Sequence, residues 1–190
     1  MSRRATIART GRALGAVALA LGLLYLVESS LARGIYNDDD IGHYLMARDA
    51  PRDPILYLNV WGRPLFTLVY SGPAQLGFDL VRRFTILVTV ATAILTGLAS
   101  ARLKLAPWIG AALFGSMPFV LLLSYSSLTE PLAALCVAAA LWAWLGDRRS
   151  VALGCLALVP LARLELSLIA VPLGLLAFLR GRGRDRWLGL

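Results

Sequence analysis

The sequence predicts an all-α integral membrane protein with about six transmembrane helices and a large first extracytoplasmic loop that contains short interfacial helices. Three observations carry that prediction. Hydrophobic residues make up 58% of the 190 positions and charged residues only 16%, against about 45–50% and about 25% in an ordinary soluble domain. Mean hydropathy is +0.71, an apolar surplus that so short a chain cannot hide from water. The basic residues, 19 Lys and Arg against 11 Asp and Glu, fall in short clusters between apolar runs. They read as topology signals, and nucleic acid is not expected as a partner.

The first element is an apolar stretch from Ala13 to Val27 behind Arg3, Arg4, Arg9 and Arg12. Ser30 and Ala32 have the small-residue spacing of a signal-peptide cleavage site. Because the rest of the chain stays in the membrane, an uncleaved first helix over residues 1–32 is the better reading. The N-terminus is then cytoplasmic. Residues 33–81 bring acids, prolines and aromatics with no stretch of about 20 apolar residues, which makes them an external loop. Within it, residues 61–77 (WGRPLFTLVYSGPAQLG) are moderately apolar but carry Arg63, Pro64, Pro73 and Gln75.

Charge decides whether residues 61–77 span. If they do not, the N-terminal arginines are joined in the cytoplasm by Arg102, Lys104, Arg148, Arg149, Arg180, Arg182, Arg184 and Arg186, placing twelve of the 19 basic residues inside. If they do span, the distribution inverts, against the positive-inside rule. A re-entrant or interfacial segment is therefore expected. Helices two to six fill residues 82–190: Phe84 to Ser100, Ala106 to Thr129, Pro131 to Gly146, and Ser150 to Leu179 split near Arg163. The whole forms a single transmembrane domain. Cys136 and Cys155 lie in apolar runs with no second thiol or histidine at metal-ligand spacing, and read as small core residues.

The densest chemical signal is NDDDIGHYLMARD. Asp38, Asp39 and Asp40 adjoin one another, and mutual repulsion of carboxylates suits one of them to act as a general base. The same run also reads as the acidic start of a helix from Ile41 to Arg48, or as a divalent-cation site. His43, the only histidine, makes neither a triad nor a metal site and reads equally as a packing residue. Trp61, Tyr57 and Tyr70 fit an aromatic belt, or with Arg63 the wall of a sugar or headgroup site. Arg82 and Arg83 precede an apolar helix on the side where cations are unusual, where a phosphate, Asp79 or the interface would suit them. Glu130, Arg163 and Glu165 interrupt apolar runs at membrane depth, where ionised groups mark function or a structural ion pair.

The order of these features resembles the N-terminal half of the glycosyltransferase C superfamily, similar to the protein mannosyltransferases and the lipid A aminoarabinose transferases. Asp39, Asp40 and Tyr44 match the acidic opening of the first external loop. WGRPLFTLVY matches its proline-bearing close, and Arg82 or Arg83 the arginine at the outer start of the second helix. YSSLTEPL and LARLELSL match the later external turn and the mid-membrane Arg/Glu element. The DDD run replaces a commoner Asp-Glu pair, leaving open which aspartate is equivalent.

The resemblance implies a multi-pass enzyme of the inner (plasma) membrane and cell envelope that moves a sugar from a polyprenyl-phosphate donor to an acceptor on the extracytoplasmic face. Asp39 or Asp40 would be the catalytic base. Asp38, His43, Tyr44, Trp61, Arg63, Arg82, Arg83, Glu130, Arg163 and Glu165 would line the substrate site. No cofactor is required, although a divalent cation held by the acidic run is compatible. Such enzymes run to several hundred residues, so the resemblance also implies that these 190 residues are the N-terminal portion of a longer chain. The alternative is a transporter or flippase fragment with a Glu130/Arg163/Glu165 path through the bilayer, and a third reading is a membrane scaffold without chemistry.

Overall fold

A computed structural model describes residues 3–32 and 38–180. Among them the chain is all-helical, with no strand. In order come α1 (Arg3–Leu31), α2 (Asp38–Asp49), a 3₁₀ turn (Pro54–Leu58), α3 (Pro64–Ala74), α4 (Phe78–Arg102), α5 (Pro107–Gly115), α6 (Pro118–Leu123), α7 (Glu130–Trp144), α8 (Arg149–Ala162), a short 3₁₀ turn (Leu164–Leu166) and α9 (Ser167–Arg180). The distal arginines Arg182, Arg184 and Arg186 lie outside the described residues, as do the side chains of Arg3, Arg4, Arg9 and Arg180.

Two helices, residues 10–31 of α1 and all of α4, are long and apolar enough to cross a membrane. The other expected spans are shorter: α7 has 15 residues, and α8 and α9 have 14 each, about 21–23 Å at 1.5 Å per residue against a hydrocarbon core of about 30 Å. Large apolar side chains such as Leu19, Leu23, Leu87 and Leu168 nevertheless face outward, Leu168 with 84% of its surface exposed. α3 has 11 residues, about half the length needed to cross.

The expected helix from Ala106 to Thr129 is not one helix. Pro118 lacks the N–H that would continue the ladder and forces Met117 out of the helical region to ψ 129°, so the run divides into α5, α6 and a non-helical turn, 124–129. The Gly115 carbonyl at the end of α5 accepts a 2.8 Å hydrogen bond from the Tyr25 hydroxyl. The second apolar helix, conversely, begins before Phe84. α4 starts at Phe78 with Asp79 in its first turn, favourable at a helix N-terminus, so Arg82 and Arg83 lie inside the helix rather than ahead of it. The break near Arg163 is present, with that residue extended at φ −156° and ψ 109° between α8 and α9.

α4 is the central element. One face packs Val81 and Val88 against Phe66, Tyr70, Leu132 and Ala133, and another packs Ile86 and Ala93 against Leu14, Leu21, Tyr25 and Ala111. Its buried hydroxyls are satisfied within the helix: Thr85, Thr89 and Thr92 each donate to the carbonyl four residues earlier, which removes the cost of burying them in apolar surroundings. From Arg82 to Arg102, α4 rises about 30 Å.

Candidate functional site at one end of α4

The aspartate run begins α2, where three carboxylates complement the helix dipole. Successive helical residues are turned by about 100°, so the three do not share one site. Asp38 and Asp39 are exposed, whereas Asp40 is 1% exposed. The Asp40 carboxylate accepts hydrogen bonds from the backbone N–H of Ser127 and, at 2.6 Å, from its hydroxyl, which also lies against the Asp40 carbonyl. Among the described residues no three His, Cys, Asp or Glu side chains come together to hold a metal ion.

The same buried turn is held from α4. Arg82, itself buried, donates from Nε to the Tyr125 carbonyl at 2.8 Å and from Nη2 to the Ala32 carbonyl at 2.9 Å. Its Nη1 lies 4.0 Å from Asp79. Asp40 and Arg82 thus grip residues two apart on one turn, whose Cα atoms are within about 7 Å of each other. Nothing in the apolar patterning marks Ser127 and Tyr125 as the partners; the cluster of hydroxyl residues from Ser124 to Thr129 was the available signal.

A chain of ion pairs joins elements far apart in sequence. Arg63 Nη2 meets Glu165 Oε1 at 2.6 Å, Glu165 Oε2 lies 3.7 Å from Arg163 Nε, and Arg163 Nη1 pairs with Glu130 Oε1. Arg163 therefore neutralises both acids. Arg63 occupies a left-handed backbone conformation, φ 58°, directly before Pro64, a strained state for a residue with a Cβ. The preceding turn holds it there: Asn59 Oδ1 accepts from the N–H groups of Trp61 and Gly62, and the Thr67 hydroxyl donates to the Gly62 carbonyl. Gly62 is closely packed: a Cβ there would meet Met46 Sδ at 2.9 Å and Thr67 Oγ1 at 3.0 Å.

His43 is buried on α2 with its ring 5.5 Å from that of Phe66. Burial pushes its pKa below 6.5; Asp39 and then Glu130 and Asp40 act against that shift, while Arg63 adds to it. Four buried side-chain atoms among the described residues lack a hydrogen-bond partner, and three belong to this cluster: His43 Nδ1, Arg63 Nε and Glu130 Oε2, the fourth being Glu28 Oε2. Seven of the residues singled out from sequence are thereby linked: Asp39, Asp40, Arg63 and Glu130 through His43, and Arg63, Glu165, Arg163 and Glu130 through the ion pairs.

No family model, curated protein or solved structure matches the chain. Function must be argued from the geometry.

Other predicted site residues fall elsewhere. Tyr44 packs edge-on against Phe78 at 5.3 Å and lies under Arg48. Trp61 is 58% exposed. Tyr70 is buried, stacked on Phe66 at 4.1 Å with its hydroxyl 3.2 Å from that of Thr85, so it belongs to the core and not to a substrate wall. Arg83 is exposed on the α1 side of α4. It borders two spaces at once: an apolar groove of about 520 Å³ between α1 and α4, lined by Leu19, Leu23, Leu26, Phe84 and Leu87, and a polar cavity of about 410 Å³ lined by Ser29, Ser30, Asp79 and Arg82. Leu26 and Arg83 are common to both.

Proposed function

We propose that this protein is an integral membrane glycosyltransferase, of the glycosyltransferase C type, which transfers a sugar from a polyprenyl-phosphate donor to an acceptor on the extracytoplasmic face. The observation that carries the reading is the apolar groove between α1 and α4, which shares Leu26 and Arg83 with the neighbouring polar cavity. An apolar trough leading to a guanidinium suits an amphiphile with a hydrocarbon tail and a phosphate head. Arginine's planar fork matches phosphate oxygens.

In this reading Arg83 receives the phosphate, because Arg82 is committed to the Tyr125 and Ala32 carbonyls. Asp39 is the base, because Asp40 is engaged with Ser127. Asp39 takes the proton from the acceptor hydroxyl as its oxygen attacks the anomeric carbon; the bond from that carbon to the phosphate oxygen breaks, and the lipid phosphate leaves toward Arg83. The cluster around His43 and Arg63 faces the acceptor. In this topology the N-terminus is cytoplasmic, α3 does not cross, and α5 with α6 as one broken element, α7, α8 and α9 cross where the protein and its neighbours thin the bilayer.

The test is transfer from radiolabelled polyprenyl-phosphate sugars in membranes carrying the protein. Asp39→Asn should lower the rate at least about 100-fold, the loss typical of removing a general base. Arg83→Gln should chiefly weaken donor binding. Unchanged transfer by Asp39→Asn, Asp40→Asn and the double variant rejects the reading.

One observation favours a transporter or flippase instead. Glu130 borders a cavity of about 120 Å³ with Thr89 and Thr92, and its Oε2 has no partner. That reading requires substrate flux across vesicles that Glu130→Gln abolishes while sugar transfer is absent.

A further inference from the structure

The opposite end of α4 carries a second charged cluster with a different construction. The guanidinium carbons of Arg102 and Arg148 each lie 5.1 Å from the centroid of the Trp142 ring, so the two like charges sit within about 10 Å of each other, one Debye length at 0.1 M salt. Among the described residues neither is within ion-pairing distance of an acid. The negative face of the indole relieves part of the repulsion but supplies no counter-charge.

Three features shape this end. α8 begins at Arg149, immediately after Arg148, with no acid in its first turn, so cations stand where the helix dipole is already positive. In the turn between α7 and α8 the Arg102 guanidinium lies against Gly146, where a Cβ would displace it from its present position. Finally, Lys104 and Asp147, in the two turns that flank the cluster, are held in left-handed conformations at φ 63° and φ 55°, strain that persists where surrounding structure enforces it; Asp147 is the acid in these turns and makes no ion pair with Arg102 or Arg148.

The surroundings select the anion. Exposed Leu103, Leu105, Trp108 and Trp144 border this end, and it stands about 30 Å along α4 from Arg82, the thickness of a hydrocarbon core. A phosphate arriving here would therefore come attached to apolar chains. We propose that Arg102, Trp142 and Arg148, at the N-terminus of α8, form a binding site for the phosphate headgroup of an anionic membrane lipid. Arg102 and Arg148 supply the charge, Trp142 spaces them, and Arg102 lies against Gly146. The site is remote from the groove at the other end of α4 and does not depend on the enzymatic reading.

The full chain in mixed micelles of phosphatidylglycerol and phosphatidylcholine, examined by native mass spectrometry, tests this. Retained phosphatidylglycerol should exceed phosphatidylcholine. The preference should fall about fivefold in Arg102→Gln or Arg148→Gln and about thirtyfold in the double variant, taking about 1 kcal/mol per cation near a lipid surface. Gly146→Ala should reduce it with no charge removed, which decides the matter should the double variant fail to fold. Equal retention of both lipids by the wild type overturns the proposal, as does an unaltered preference in the folded double variant. Displacement of the lipid by an equal concentration of inorganic phosphate would show a site for a free anion and overturn it too.

Discussion

The two ends of α4 handle charge in opposite ways. Along the half of α4 that carries Arg82 and Thr89, cations and acids interlock: Arg63, Arg163, Glu130 and Glu165 form a continuous chain of pairs, and Asp40 and Arg82 clasp backbone groups of one buried turn. Around Arg102, two cations gather over an indole without an ion pair to any acid among the described residues. Burying an ionised group is costly unless it is paired, so the first end can sit inside the fold while the second must stay in contact with water or headgroups. Charge at the first end builds structure, with a few buried side-chain atoms among the described residues left without a hydrogen-bond partner. At the second it is turned outward.

Removing charge should therefore destabilise the first end and leave the stability of the second nearly unaffected. The largest effect is expected for Asp40→Ala, which strands the Ser127 N–H in a buried place and leaves the Ser127 hydroxyl only the residue-40 carbonyl; it should cost about 3 kcal/mol, read as a lowered unfolding temperature in detergent. Wild-type stability in that variant would break the contrast between the ends. Arg163→Met should cost about 1–2 kcal/mol, because it leaves Glu130 half-buried without its partner, and Glu130→Gln in the same chain should recover most of the loss. A double-mutant cycle with no coupling would show that the pair is incidental.

A smaller effect depends on pH. The His43 pKa lies below 6.5 in the folded state, chiefly through burial, so below about pH 6.5 the unfolded chain binds a proton that the folded chain resists. Stability should thus rise with pH through that window and fall as the solution is acidified. His43→Gln should flatten this part of the profile, and an unchanged slope in the variant would assign the dependence to other groups. The smallest effect is expected at the other end, where Arg148→Gln should shift stability by no more than about 0.5 kcal/mol. A loss as large as that of Asp40→Ala would mean that the basic cluster is also a structural joint.

The membrane-like composition, the helices and the candidate residues were legible in the sequence to different degrees. α1 and α4 were readable because a long apolar run has few alternatives to a helix, although the start of α4 was not: Asp79, Arg82 and Arg83 look like loop residues until Val81 and Thr85 are seen to pack inward. The run from Ala106 to Thr129 misled, because hydropathy counts Pro118 as a small loss while the backbone ladder treats it as a stop. In the aspartate run, adjacency in sequence is not adjacency in space, because a helix turns neighbouring side chains to different faces.

Composition and charge order determine that this chain is helical and apolar, where its polar interruptions fall, and which arginines cluster; these are local properties, set by side-chain chemistry and spacing. Which polar residue meets which was decided only by tertiary structure. Asp40 finds Ser127 across 87 positions and Arg63 finds Glu165 across 102, pairings chosen by helix packing around α4. No local pattern encodes a distance that exists only after the chain has folded back on itself.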